Sequence, residues 1–130
     1  MPDIRILLVD DEADIREVVD VSLCLDPEIK TRACASGADA LVTAALWSPS
    51  LILLDVRMPL MDGLATLANL RENPRTAHIP VIFLTAGMQS GEIERYISLG
   101  AQGVLLKPFD PMTLAALVRR HLPGSAARTF

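Results

Sequence analysis

Residues 51–63 read LILLDVRMPLMDG. Four aliphatic residues run directly into Asp55, and a loop containing Met58-Pro59 and Asp62-Gly63 follows. A short run that is apolar throughout suits a strand covered on both faces, as in a parallel sheet. It ends, however, on a carboxylate, which is costly to bury unless something pairs with it. What pairs with Asp55 settles the reading of the rest.

Similar runs recur on either side. Ile4–Val9 and Val81–Leu84 are apolar almost throughout. Ile29–Cys34 alternates, with Ile29, Thr31 and Ala33 set against Lys30 and Arg32, which suits an edge strand with one wetter side. Val104–Leu106 is a short fifth run. Between the runs the period becomes helical. Ile15, Val18, Val19, Ser22 and Leu23 fall on one helix face. Ser36 is placed to cap a helix over Ala38–Trp47, and Asp62 one over Gly63–Glu72. Ser90-Gly91 precedes Glu92–Leu99, which stops at Gly100. Asp110-Pro111 reads as a cap followed by proline at the first helical position. Leu114, Leu117, Val118 and Leu122 then form an apolar stripe, ended by Pro123-Gly124. The pattern is (βα)5, a doubly wound parallel sheet with helices on both faces; in the flavodoxin-like strand order 2-1-3-4-5, strands one and three are neighbours. It predicts one domain over residues 1–123, with 124–130 as a flexible tail or the start of a linker.

The totals agree with such a domain. Of 130 residues, 51% are hydrophobic and 22% charged, enough for a full core and unlike a disordered chain. A net charge of −4 leaves no basic face for nucleic acid. The apolar runs are too short to span a bilayer, and the start, MPDIRILLVDDE, shows no export signal. Cys24 and Cys34 form no CxxC pair and read as small hydrophobes in a reducing, cytoplasmic setting.

The first polar residues after the apolar runs carry the chemistry. Asp10 and Asp11 follow the first strand, Asp55 the third, Thr85 the fourth and Lys107 the fifth. In an open α/β sheet, the carboxyl edge of the strands holds the ligand at the point where strand order reverses. Strands one and three are neighbours there, so the acid pair and Asp55 face each other across one crevice. Crowded carboxylates repel unless they take up protons or a cation sits among them. An all-oxygen cluster suits a hard divalent ion, Mg2+ where phosphate is also handled. With the Lys107 ammonium and the Thr85 hydroxyl, these are the parts phosphoryl transfer needs.

VDDE at 9–12, LLDVRMPLMDG at 53–63, LTAG at 84–87 and LKPF at 106–109 together resemble the receiver domain of two-component response regulators. The match covers nearly the whole chain. The intervals of 45, 30 and 22 residues between Asp10, Asp55, Thr85 and Lys107 equal two βα units, then one, then one. The resemblance implies that Asp55 is the phosphoacceptor and Asp11 a direct Mg2+ ligand, with Mn2+ as a substitute. Asp10 would act through a metal-bound water, and the Arg57 backbone carbonyl would complete the metal site. Thr85 and Lys107 would bind phosphoryl oxygens, with backbone groups of Ala86 and Arg57 beside them. A cis peptide before Pro108 is also common in the family, in keeping with the X-Pro confinement of cis bonds.

By the same resemblance the domain is no conventional enzyme, but a phosphoacceptor that catalyses its own loading and hydrolysis. Its donor would be a sensor histidine kinase or a histidine phosphotransfer protein, and its reader a downstream protein effector. That effector would read the face of the fourth helix, fifth strand and fifth helix. Neither direct nucleic-acid contact nor membrane association is expected, and the chain is expected to be a monomer or a phosphorylation-dependent dimer. Receivers usually carry Tyr or Phe three residues before the lysine, as a side chain that swings inward on activation. Here that position is Val104. GAQGVLLKPF also lacks the paired acids of the branch fused to winged-helix domains, so that branch's dimer is not expected.

Plainer roles compete for several residues. Asp10 or Asp11 could cap the first helix, and Glu12 could approach the metal or simply favour the helix dipole. Asp62 reads as a cap rather than a ligand. His78 and His121 read as a loop residue and a helix-end cation, Trp47 as a packing residue, and Tyr96 as part of the partner face. Arg57 and Gly87 flank the pocket mouth. A haloacid dehalogenase-type phosphatase would need a second acid two residues after the nucleophile, where Arg57 follows Asp55. A flavodoxin-like cofactor binder would need a phosphate loop where this chain has VDDE. The remaining alternative is a pseudo-receiver, an interaction module working without phosphorylation.

Overall fold

A computed structural model describes residues 3–87 and 89–122. Strands and helices alternate as β1 (Ile4–Val9), α1 (Ala13–Cys24), β2 (Ile29–Cys34), α2 (Gly37–Trp47), β3 (Leu51–Asp55), α3 (Gly63–Glu72), β4 (Val81–Thr85), α4 (Glu92–Ser98), β5 (Gly103–Leu106) and α5 (Leu114–Arg120). All pairings are parallel, in the order β2-β1-β3-β4-β5. This is the expected doubly wound (βα)5 sheet.

The period of two along each strand divides the core. Leu7, Val9, Ile52, Leu54, Val81 and Phe83 point to one face, where they meet Ala40 and Ala44 of α2, Leu67 and Leu70 of α3, and Tyr96 of α4. Ile6, Leu8, Leu51, Leu53, Ile82 and Leu84 point to the other and meet Val19 and Leu23 of α1 and Leu114 and Val118 of α5. Apolar residues are therefore needed at successive positions of β1, β3 and β4, which is why those runs do not alternate. The edge strand β2 exposes Lys30 and Arg32, as its sequence predicts, but also Ala33.

Two caps form as read. Ser36 Oγ accepts from Asp39 N at 3.2 Å, and Asp62 Oδ1 accepts from Ala65 N at 2.8 Å. Two helices differ from expectation. On α1, Val19, Ser22 and Leu23 are buried, but Val18 is exposed and Ile15 only half-buried. The surface α1 covers is narrower than the apolar arc, and Val18 is left lining an open hollow with Val21 and Pro111. At α5, Asp110-Pro111 does not begin the regular helix, whose N-cap is Thr113. Asp110 Oδ1 instead accepts from Met112 N at 2.9 Å, closing a side-chain turn that spends the capping group before the helix starts. Both cysteines are free, and Cys24 is exposed rather than part of the core. The Pro123-Gly124 stop and the 124–130 tail lie outside the described residues. Among the described residues, no helix is long and apolar enough to cross a membrane.

Candidate phosphoryl-acceptor site

The site is built by strand ends. Asp10 follows β1, and Asp55 is the last residue of β3. The β1–β3 register ends at Val9 against Leu54, so the next residue of each strand lies side by side at the sheet edge. Asp55 continues the face of Leu51 and Leu53, and Asp10 that of Ile6 and Leu8, so both acids turn towards α1 and α5. Lys107 follows Leu105 on the same face, and its backbone N–H donates to the Thr85 carbonyl at 2.8 Å. The Lys107–Pro108 bond is cis. Behind Asp55, Gly63 N–H donates to Val56 O at 2.8 Å, and Val56 N–H to Leu84 O at 3.1 Å. A Cβ on Gly63 would fall on the Asp55 carbonyl oxygen and within 2.8 Å of the Val56 Cα, so only glycine fits there.

These positions bring opposite charges into one crevice. Asp10 is 0% exposed and Asp55 4%. The Lys107 Nζ lies 2.8 Å from Asp10 Oδ2, 3.4 Å from Asp55 Oδ1 and 3.7 Å from Glu12 Oε1. Burial, followed by the charge of Asp10, pushes the Asp55 pKa up to about 6, against the pull of Lys107 and the Arg57 N–H. Burial disfavours the Lys107 ammonium, but its hydrogen bond to Asp10 and the two acidic charges outweigh this and raise its pKa. The ammonium is thus the partner that lets β3 end on a carboxylate.

The acids also fit a cation. Asp10, Asp11, Glu12 and Asp55 each offer an oxygen, and these atoms all lie within 4.8 Å of one another. Oxygens on opposite sides of an ion bound at about 2.1 Å lie roughly 4.2 Å apart, so the cluster needs little adjustment for a small hard ion. Asp10 is the most committed of the four, because its Oδ1 accepts from Glu12 N at 2.9 Å while its Oδ2 meets Lys107. Asp11 is exposed, and among the described residues its carboxylate has no hydrogen bond. Glu12, whose role the sequence left open, brings its carboxylate into the cluster.

The remaining residues sit around this centre. Arg57 is exposed, and its N–H lies 3.4 Å from Asp55 Oδ1. Thr85 is buried on the other sheet face, in line with Val81 and Phe83, and its hydroxyl donates to the Gly87 carbonyl at 2.9 Å. Ala86 and Gly87 border an open cavity of about 500 Å³ with Arg57, Gln89 and Glu92. Val104 is half-buried against the α2–α4 side of the core. Tyr96 does not form surface for a partner here. It is 3% exposed, edge-on to Phe83 with centroids 5.1 Å apart, and its hydroxyl donates to Glu92 Oε2 at 2.8 Å. A phenol buries readily when its hydroxyl finds an acceptor, and Glu92 one turn earlier supplies it. Asp62, His78 and His121 lie outside the cluster; His121 packs on Gly103, where a Cβ would come within 2.9 Å of its Nε2.

Comparison with known proteins agrees with this geometry. The family model described as the response regulator receiver domain matches residues 6–119. Response regulator Rre1 of a Synechocystis strain is 40% identical over 125 residues, covering 95% of this chain and 54% of that protein. Response regulator PleD of Caulobacter vibrioides is also 40% identical, over 88% of this chain and 25% of its own length. The chain thus spans about half, or less, of these curated relatives. Chemotaxis protein CheY4 of Vibrio cholerae has a solved structure with a TM-score of 0.84 and 30% identity, covering 92% of this chain and 99% of that one.

Proposed function

This chain belongs to the response regulator receiver family of two-component signalling, and we propose that it accepts a phosphoryl group on Asp55 from a phosphohistidine, with Mg2+ required. One observation carries the reading: four carboxylate oxygens within 4.8 Å of one another share a crevice with an ammonium 3.4 Å from Asp55. A structural ion pair would need one acid for one lysine; four acids leave a deficit that suits a divalent cation.

In the proposed reaction an Asp55 oxygen attacks phosphorus. The P–N bond of the donor breaks, its electron pair stays on the imidazole nitrogen, and an acyl phosphate remains on Asp55. Lys107 stays beside the developing negative charge, while Thr85 turns its hydroxyl from Gly87 to a phosphoryl oxygen and Ala86 offers its N–H. Asp10, Asp11, Asp55 and the Arg57 carbonyl would hold the ion, which when bound neutralises charge on the carboxylates and the phosphoryl oxygens. The donor would be a sensor histidine kinase or a histidine phosphotransfer protein in the cytoplasm. Ile93, Ile97 and Leu99 around α4 and Leu106 of β5 are exposed and apolar, which supports a protein effector reading this face.

Incubation with acetyl phosphate and Mg2+, followed by intact mass, tests the reading. The expected result is a gain of one phosphoryl group, abolished by EDTA and by Asp55→Asn. No gain from acetyl phosphate or from a phosphohistidine donor would replace it with the phosphorylation-independent module.

A further inference from the structure

The chain beyond β4 is held by side-chain hydrogen bonds at two points. Thr85 Oγ1 donates to the Gly87 carbonyl at 2.9 Å. Further on, Glu92 takes two donors at once, Gln89 N at 2.6 Å on Oε1 and Tyr96 Oη at 2.8 Å on Oε2. Tyr96 leans edge-on against Phe83, which shares a sheet face with Thr85. Thr85 and Phe83 are thus neighbours on one sheet face, and contacts lead on from Phe83 through Tyr96 to Glu92. Glu92 borders the same cavity as Arg57, two residues after Asp55.

Thr85 and Glu92 each have two ways to be satisfied. The Thr85 hydroxyl has one proton to give, to the Gly87 carbonyl or to an anionic oxygen on Asp55, and not to both. The Glu92 carboxylate can keep Gln89 and Tyr96 or turn to the Arg57 guanidinium across the cavity. A buried phenol left without an acceptor is costly, so Tyr96 must move when Glu92 does. Val104, on β5 opposite Phe83, is smaller than an aromatic ring and packs on the same cluster, so no second aromatic competes for that space.

We propose that Tyr96, latched by Glu92, is the aromatic relay that carries the state of Asp55 to the outer face of α4. This rests on the reading of Asp55 as phosphoacceptor. With the acceptor empty, Thr85 rests on Gly87 and Tyr96 on Glu92. When Thr85 turns to a phosphoryl oxygen, Gly87 and Gln89 shift, Glu92 loses the Gln89 N–H, and the Tyr96 hydroxyl follows it or leaves it. The exposed Ile93 and Ile97, which flank Tyr96 on the same helix, change their presentation as a result. Tyr96 and Glu92 are positioning residues and touch no phosphoryl oxygen.

The chain contains one tyrosine, so incorporation of 3-fluorotyrosine gives a single 19F resonance from position 96. Acetyl phosphate and Mg2+ are added while intact mass follows Asp55. The expected result is a second 19F resonance that grows in step with the phosphorylated mass. In Glu92→Gln, which keeps one acceptor oxygen where two are used, the mass gain persists and the separation between the resonances falls at least two-fold. A merely structural Glu92 would lower the melting temperature equally in both states and leave that separation intact, which overturns the proposal. So does a phosphorylated mass with no new 19F resonance. A chain that gains no mass fails at Asp55 itself, a different result, and takes this proposal with it.

Discussion

Replacing Asp55 with Asn should stabilise the protein while removing the proposed phosphoacceptor. The carboxylate is 4% exposed beside the fully buried Asp10, and its pKa rises from 3.8 to about 6. A rise of that size corresponds to roughly 3 kcal/mol at neutral pH. Water at the open sheet edge screens part of this, leaving an expected gain of about 1–2 kcal/mol for Asp55→Asn. Lys107 loses little, because Asp10 remains 2.8 Å away. The sign follows from linkage. Between the unfolded carboxylate pKa and about 6 the folded state binds more protons, so this group lowers stability as pH rises through that window, and its penalty is complete above it. In EDTA at pH 7.5, thermal melts should place Asp55→Asn about 3–8 °C above the parent, with the gap closing between pH 6 and pH 4. Magnesium should raise the parent and leave the variant nearly unmoved, reversing or erasing the order. An Asn variant no more stable than the parent at pH 7.5, or an advantage undiminished at pH 4, refutes the electrostatic account of this crevice.

Three further substitutions separate the roles of neighbouring residues. Lys107→Gln strips the buried Asp10 and Asp55 of their cation and should cost about 2 kcal/mol in urea unfolding at pH 7. Because the folded lysine pKa is raised, that difference should fade as pH climbs past the ordinary lysine range. Gly63→Ala drives a Cβ onto the backbone of Asp55 and Val56; it should cost upwards of 2 kcal/mol and slow phosphorylation by acetyl phosphate, and a neutral result would mean that this loop is looser than its hydrogen bonds imply. Asp62→Ala removes the Ala65 N–H acceptor and should cost about 1 kcal/mol with an unchanged phosphorylation rate; a loss of acceptor activity would show that Asp62 does more than cap α3.

The difference between what could and could not be read from the sequence is itself physical. Strand ends were legible because a doubly wound sheet needs apolar residues on both faces, so the first charge after LILL or RILLV marks an edge. Asp10, Asp55 and Lys107 then fall on one face by parity alone. Parity also puts Thr85 on the face of Phe83, but the partner of its hydroxyl is not legible in the same way: it is satisfied by its own loop, a choice between two good acceptors that no motif encodes. Glu12 is ambiguous in the sequence because an acid in a first helical turn has a dipole role and a crevice role at the same spacing. Helix α4 is the instructive case. Over EIERYIS, hydropathy favours Ile93 and Ile97, an i, i+4 pair, as the buried stripe. The structure exposes both and buries Tyr96 between them, because Glu92 sits one turn earlier to take its hydroxyl and Phe83 lies beneath its ring. A seven-residue helix contributes too few positions for periodicity to outvote one hydrogen-bonded aromatic. Function tends to collect where local preference loses to a specific contact, and at this sheet edge the contact that wins is the Tyr96–Glu92 hydrogen bond, one cavity away from Arg57.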